Sequence, residues 1–221
     1  MPKKFSFAAG IALCALTVIL TVFYAASSAS AKQIAPCDIT DSFAREEILT
    51  VVNAGWMQTY SVDDSAYFEP TRPVTRAELA SALVAFLEIN PDKYRNTEIG
   101  FADEATTNAA ALPAIRAALA NGLMMLSSEY RFDAETTIPR EEAAFLFGAL
   151  CRAEISAGKD EGFEDFREID AFFLSNAKKA VDFEIMIGYT DGMFHPKNAL
   201  TREELALVLV RLSQSQNFRK E

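Results

Sequence analysis

The chain has 221 residues, half of them hydrophobic, and a formal net charge of −10 at pH 7. A chain this acidic repels nucleic acid and anionic lipid, so we expect no nucleic-acid partner and no binding to anionic membrane surfaces. Its length and apolar content suffice for a buried core in one or two domains.

Residues 1–31 have the pattern of a secretory signal peptide. Lys3 and Lys4 precede an apolar run over residues 5–26, and Ala29-Ser30-Ala31 fits the A-x-A cleavage pattern. We expect cleavage after Ala31 and export, which leaves a net charge of −12 (19 basic minus 31 acidic residues). The alternative is an uncleaved anchor, because the run is long enough to span a bilayer. That segment would then be the only contact with the membrane.

The cysteines and the single histidine do not form a pattern for metal or nucleophilic chemistry. Export permits a disulfide between Cys37 and Cys151, and the sequence leaves open whether they pair. They are too far apart in the chain for a metal-binding motif, and His195 precedes Pro196 in a predicted turn. No motif places paired carboxylates for glycoside hydrolysis or a glycine-rich phosphate loop. We therefore expect no metal, no cofactor and no enzymatic activity.

Three helical segments of similar pattern begin three copies of one unit. The predicted helices cover about residues 43–54, 112–121 and 172–183. Gly55 and Gly122 follow the first two helices, where glycine suits a left-handed C-terminal cap. Glu184 takes this place in the third copy, which predicts a different cap there.

A second helix in each copy follows a repeated motif. The three motifs are Val74-Thr75-Arg76-Ala77-Glu78, Ile138-Pro139-Arg140-Glu141-Glu142 and Leu200-Thr201-Arg202-Glu203-Glu204. Their arginines are 64 and 62 residues apart (140 − 76 and 202 − 140), and an apolar stripe at i, i+3, i+4 and i+7 follows each one. Thr75 with Glu78, and Thr201 with Glu204, fit capping boxes, whereas Pro139 removes this cap from the second copy.

A turn-rich loop joins the two helices of each copy. It is clearest at Gly188–Pro196, where residues beside Asp191-Gly192 predict a very short β element. Polar linkers at about residues 90–100 and 156–162 separate units at residues 38–90, 101–155 and 163–215. Because one helix pair cannot bury its stripe alone, we expect an all-α fold. The three helix-loop-helix repeats should form one pseudo-threefold, three-lobed domain.

The order of these motifs resembles the S-layer homology family. That family opens each repeat with Phe-x-Asp, found here at Phe101-Ala102-Asp103 and Phe163-Glu164-Asp165, and closes it with Thr-Arg-Ala-Glu. The first opening is blurred into the residues from Cys37 to Asp41, and the second copy departs from the pattern in its loop. The resemblance implies three tandem repeats that anchor a protein non-covalently in the cell wall or cell envelope. The expected partner is an acidic, often pyruvylated, secondary cell-wall polysaccharide or a peptidoglycan-linked glycan.

The resemblance also implies site residues. It places Arg76, Arg140 and Arg202 on the acidic sugar, with Arg140 least supported because its copy has the divergent loop. A cation at a helix N-terminus is disfavoured by roughly 0.3–1 kcal/mol, which favours an anion from outside. The alternative is an ion pair with an acid of a neighbouring repeat.

Other residues near the arginines are candidate ligand contacts. Trp56 and Tyr189 are candidates for stacking on sugar rings, and Asp191 for contacting sugar hydroxyls. The alternatives are a place in the core for the aromatic residues and in a turn for the acid.

A second hypothesis gives the repeats a different role. The chain would be a small envelope adaptor or oligomerisation protein whose degenerate repeats bind an envelope protein. The mass in solution separates the hypotheses, because an adaptor of this kind is not a strict monomer.

Overall fold

The computed structural model describes residues 35–152 and 163–218. The predicted signal peptide with its cleavage site and the predicted linker at residues 156–162 lie outside the described residues. All described residues belong to one of two compact units of the chain, Ala35–Glu221. Within them, no helix combines the length and apolar character needed to cross a membrane.

Six α-helices and one hairpin make up the longer regular elements of the described residues. The helices are α1 (Arg45–Asn53), α2 (Arg76–Phe86), α3 (Leu112–Ala120), α4 (Arg140–Ala149), α5 (Ala171–Asp182) and α6 (Arg202–Gln214). The antiparallel strands are β1 (Tyr60–Val62) and β2 (Ser65–Tyr67). Short 3-10 turns lie at Pro91–Tyr94, Glu104–Thr106 and Glu164–Glu168. The mainly helical content confirms the predicted all-α class.

The helix starts follow the local chemistry of the motif. The Thr75 hydroxyl accepts the Glu78 N–H at 3.2 Å, and the Glu78 carboxylate accepts the Thr75 N–H at 3.0 Å. Thr201 and Glu204 form the same capping box at the start of α6. Pro139, which has neither a hydroxyl nor an N–H, leaves α4 without a side-chain cap. The two predicted boxes and the predicted loss are confirmed.

Helix pairing links each copy to the next one. The second helix of a copy packs against the first helix of the following copy, so that α2 packs on α3 and α4 on α5, and α6 returns to α1. The extended residues before the second helices also pair through isolated β-bridges, Pro73 with Thr201, Thr75 with Thr137 and Pro139 with Ala199. The buried stripes of α2, α4 and α6 consequently share one core.

The first helix of each copy ends in the same geometry. Gly55 and Gly122 have φ angles of 73° and 67°, as predicted, and Glu184 has a φ of 56°. The N–H of each of these residues donates to the third carbonyl before it. The prediction of a different cap at Glu184 was therefore wrong. The main-chain turn is kept, and the glutamate adopts a backbone conformation that favours glycine.

We expect Glu184→Gly to raise the free energy of unfolding by about 1 kcal/mol, because it removes this backbone strain from an exposed position. Urea denaturation measures the change. Glu184→Ala is the matched control, since it removes the carboxylate but keeps a side chain at positive φ. Equal stabilisation by both variants would show that charge, and not backbone conformation, is responsible.

The short β element lies in a different copy from the predicted one. The hairpin Tyr60–Tyr67 belongs to the first copy, whose loop is longer, whereas Tyr189–Met193 in the third copy forms a turn without assigned strands. In that turn the Tyr189 N–H donates to the Met193 carbonyl at 2.8 Å. The extra residues of the first loop allow two strands to separate and pair.

The two cysteines of the described residues are both free thiols. Cys37 is exposed and Cys151 is buried. Burial raises the pKa of the Cys151 thiol to about 11, so this thiol stays protonated at neutral pH. The disulfide that the sequence left open between Cys37 and Cys151 is therefore not formed in this structure.

Candidate functional site

The arginine of each motif is buried in the loop of the following copy. Arg76 of the first copy donates from Nε to the Phe132 carbonyl at 2.7 Å and from Nη2 to the Met125 carbonyl at 2.6 Å. Its Nη1 pairs with Glu142. All three contacts lie in the second copy, so the guanidinium joins the two copies.

Arg140 repeats this arrangement between the second and third copies. Its Nε and Nη2 donate to the carbonyls of Phe194 and Ile187, each at 2.9 Å, and Nη1 pairs with Glu204 at 3.1 Å. The guanidinium also lies over the rings of Phe194 and Tyr189, 4.8 and 4.6 Å from their centroids. Such cation–π contacts add to the attraction.

Arg202 joins the third copy to the first. It donates to the carbonyls of Phe68 at 2.6 Å and Gln58 at 2.7 Å, and it pairs with Glu78 at 3.1 Å. The last copy is therefore bonded to the first by the same three contacts that join the other copies. Burial lowers the pKa of Arg202, but three partners hold the group charged far above neutral pH.

These contacts change how the motif arginines are interpreted. Arg76, Arg140 and Arg202 are only 9%, 3% and 3% exposed, and each has the acid of a neighbouring copy as a partner. The ion-pair alternative of the sequence analysis is thus present in the structure, and contact of these arginines with a sugar stays a prediction. The divergent second loop contacts Arg76 and not Arg140. Arg76 is therefore the motif arginine with the weakest support as a sugar contact.

An aspartate at the start of each copy holds the same loop from the other side. The Asp103 carboxylate accepts the N–H groups of Phe132 and Asp133 at 2.8 and 2.9 Å. Asp38 and Asp165 bind the corresponding loops in the same way. Burial alone would raise the pKa of Asp103, but the two N–H donors outweigh it and lower the pKa. These three aspartates therefore have a structural role, because they fix the backbone of the loop.

Each arginine lies at the base of a groove, which we name after the copy that supplies the loop. The first groove contains Arg202 with Glu78, Tyr60 and Trp56; the second contains Arg76 with Glu142, Ser127 and Phe172; the third contains Arg140 with Glu204, Tyr189 and Arg211. Their volumes are about 240, 360 and 260 Å³. These values are close to the lower end for small-ligand pockets, roughly 300 Å³.

A tyrosine distinguishes the first and third grooves from the second. The Tyr60 hydroxyl donates to Glu78 and the Tyr189 hydroxyl donates to Glu204. Burial and the carboxylate raise the pKa of Tyr189 to about 12. Glu78 is itself partly buried, but hydrogen bonds from Arg72, Thr75 and Tyr60 outweigh burial and lower its pKa to about 2. The second groove has Ser127 at the position of these tyrosines.

The three other predicted site residues differ in position. Tyr189 lines the third groove and is 39% exposed. Trp56 lines the first groove and packs edge-on against Phe86 at 4.8 Å, so it has both a groove and a core role. Asp191 accepts the Met193 N–H at 2.9 Å and pairs with His195 at 2.7 Å, which makes it a turn residue. The predicted turn role of His195 is confirmed, since its φ is 54°.

Arg211 is a groove residue that the sequence analysis missed. It lies on α6, lines the third groove and has no hydrogen-bond or ion-pair partner among the described residues. The signal was present in the repeat alignment. Nine positions after the motif arginine, the first and second copies have Ala85 and Ala149, whereas the third has Arg211.

The third copy also carries the similarity to known proteins. Residues 162–206 match the family model of the S-layer homology domain. The chain matches no curated protein. S-layer homology domains anchor proteins to the cell envelope and bind cell-wall glycopolymers. This part of the chain is therefore similar to the S-layer homology domain.

Proposed function

We propose that this protein is a secreted, non-covalent anchor that binds an acidic cell-wall polysaccharide through its third groove. Three repeats in a pseudo-threefold, three-lobed domain present the grooves, and the motif arginines hold this arrangement together. The observation that carries the proposal is Arg211, a cation without a partner among the described residues, in a groove that also exposes the rings of Tyr189 and Phe43. A carboxylate or ketal-linked pyruvate on the polymer supplies the missing anion.

The charges of the third groove favour an anion. Arg140 and Arg211 contribute two positive charges against the single negative charge of Glu204. Glu204 is already occupied by Arg140, Tyr189 and the Thr201 N–H. The free charge in the groove is consequently the guanidinium of Arg211, which offers two parallel N–H donors to a carboxylate.

The first groove is less suited to an anion. Its additional cation, Arg72, pairs with both Glu69 and Glu78, so an anionic sugar must compete with two carboxylates. The second groove is least suited, because Asp133 and Glu142 outnumber Arg76. We therefore expect one principal site for acidic sugar and a secondary one in the first groove.

The proposal is of a binding module and not of an enzyme. The titratable groups at the base of the first and third grooves hold one another in hydrogen bonds and ion pairs, an arrangement suited to rigid binding. The adaptor hypothesis predicts self-association or a stable protein complex in place of glycan binding. Sedimentation equilibrium of the exported protein, with and without wall polymer, separates these two functions.

The test is binding of Arg211→Gln to purified acidic wall polymer, measured by calorimetry. We expect its Kd to rise at least about tenfold, equivalent to about 1.4 kcal/mol, because a charge-assisted bond contributes roughly 1.5–3 kcal/mol. Arg95→Gln is the matched control, since its side chain is exposed and Asp92 is its only ion-pair partner among the described residues. Equal affinities of the two variants for the acidic polymer would contradict the proposal.

A further inference from the structure

The glutamate of the second groove has fewer partners than its equivalents. Glu78 and Glu204 each accept bonds from a motif arginine, a tyrosine hydroxyl and the N–H of the capping threonine. Within the part of the chain that the structure describes, Glu142 pairs only with Arg76, through Oε1. Pro139 has no N–H to donate, and Ser127 replaces the tyrosine.

One carboxylate oxygen of Glu142 is therefore without a hydrogen-bond donor among the described residues, although the side chain is largely buried. The Glu142 side chain is 14% exposed, and its Oε2 has no partner among the described residues. A carboxylate oxygen that is removed from most of the solvent and lacks a donor costs free energy, so a donor from a ligand is favoured there. A ligand in the second groove should therefore carry a hydrogen-bond donor, such as a hydroxyl group, that reaches Oε2 of Glu142.

The rest of the second groove suits a sugar. Phe172 is 66% exposed and stacks on Phe145 at 5.3 Å, which gives a rigid apolar wall for the C–H face of a pyranose ring. Thr136 and Thr137 also line this groove; both residues are exposed, and their hydroxyls make no hydrogen bond within the described residues. A lining that combines aromatic rings with hydroxyl groups matches a ligand that has both apolar and polar surfaces.

The charges of this groove exclude the anion proposed for the third one. Arg76 is covered by Glu142, and Asp133 adds a further carboxylate that is itself paired with Arg131 at 2.9 Å. Ala149 stands where the third copy has Arg211. Among the residues that the structure describes, an acidic sugar would meet a carboxylate and no free guanidinium in this groove.

We propose that the second groove binds a sugar unit without negative charge, which donates hydrogen bonds to Glu142 and packs against Phe172. The inference rests on the proposed function, because the partner is again wall glycan. It assigns the two grooves to different units: the third holds the anionic sugar and the second holds an uncharged one.

Methionines report on the two grooves separately. Met125 lines the second groove and Met186 lines the third. With ¹³C-methyl methionine in the protein, titration with a neutral N-acetylglucosamine tetrasaccharide should shift the Met125 signal and leave Met186 unchanged. A pyruvylated monosaccharide, which has no uncharged unit, should shift Met186 and leave Met125 unchanged.

Two variants test the contacts. Ser127→Tyr supplies the hydroxyl that the other grooves give to their glutamate, and Phe172→Ala removes the apolar wall. Each variant should raise the Kd for the neutral tetrasaccharide by about tenfold or more, since aromatic anchors and buried polar contacts dominate such sites. Tyr130→Ala, which removes an aromatic side chain that is 72% exposed and outside the groove lining, should leave this affinity unchanged.

The outcomes separate the two proposals. If the neutral sugar does not shift the Met125 signal while the pyruvylated sugar shifts Met186, the inference about the second groove is wrong and the proposed function stands. A Met125 signal that responds equally to both sugars also overturns it. A Met186 signal that ignores the pyruvylated sugar contradicts the proposed function, whatever Met125 does.

Discussion

Arg202→Ala is expected to lower the free energy of unfolding by about 3–5 kcal/mol. The substitution removes three contacts at once and leaves the buried carbonyl of Phe68 and the partly buried carbonyl of Gln58 without this donor. It also removes one of the cations beside Glu78, in a place where breaking a buried pair costs several kcal/mol. Because these contacts join the last copy to the first, unfolding should begin there. Urea denaturation followed by circular dichroism measures the loss.

Two further variants give this prediction its controls. Arg45→Ala removes an arginine whose side chain is 52% exposed and which, in the described ranges, pairs only with Glu46, so its effect should stay within about 0.5 kcal/mol. Arg202→Lys keeps the charge but not the planar fork, and should recover only part of the stability. A loss below about 1 kcal/mol in Arg202→Ala would show that the three contacts do not hold the copies together.

This prediction also decides how glycan binding should be tested. Loss of binding after an alanine substitution at a motif arginine would follow from loss of the fold, and so would not identify a ligand contact. Arg211, which has no partner among the described residues, is the cation whose removal reports on the ligand alone.

Gly148→Ala is expected to destabilise the protein by about 1–3 kcal/mol, although helix propensity favours alanine. In the interior of a helix, glycine costs roughly 1 kcal/mol relative to alanine. A Cβ atom at Gly148 would overlap the carbonyl oxygen of Asn176 and approach the Ala180 nitrogen to 3.2 Å. Both atoms belong to the backbone of α5, so relief requires the helices to separate, which costs more than propensity contributes.

Comparison of the three copies provides a second variant for this test. The equivalent positions of α2 and α6 are Val84 and Val210, so a consensus of the three copies recommends valine at Gly148. We expect Gly148→Val to be more damaging than Gly148→Ala. Ser175→Ala, at an exposed position of α5, should change stability by less than about 0.5 kcal/mol. A stabilising Gly148→Ala would mean that the close contact between α4 and α5 is relieved without cost. Thermal unfolding of the three variants measures the order.

Local features of the fold were predictable because they depend on neighbours in the chain. The capping boxes of Thr75 and Thr201 use residues three positions apart, and the left-handed caps at Gly55 and Gly122 need only one flexible residue. The cap at Glu184 was mispredicted because it depends on tertiary packing and not on the residue type alone. Packing of the following apolar pair, Ile185 and Met186, holds the turn despite the unfavourable backbone conformation.

The candidate site was only partly predictable. The motif identified Arg76, Arg140 and Arg202, yet their positions in the chain do not show that each guanidinium enters the next copy. The divergent loop was accordingly assigned to Arg140, whereas it faces Arg76. Arg211 and the unused oxygen of Glu142 concern contacts between residues far apart in the chain, which no local pattern encodes.

The sequence by itself determined three copies of a helix-loop-helix unit, with their caps, apolar stripes and arginines, because each of these depends on spacing within one helix or turn. Only the tertiary structure decided which copy each arginine serves and which charges remain free in each groove. The physical reason is that the second helix of every copy packs on the first helix of the next. Every groove is therefore built from two copies, and its chemistry depends on residues that the chain places about sixty or more positions apart.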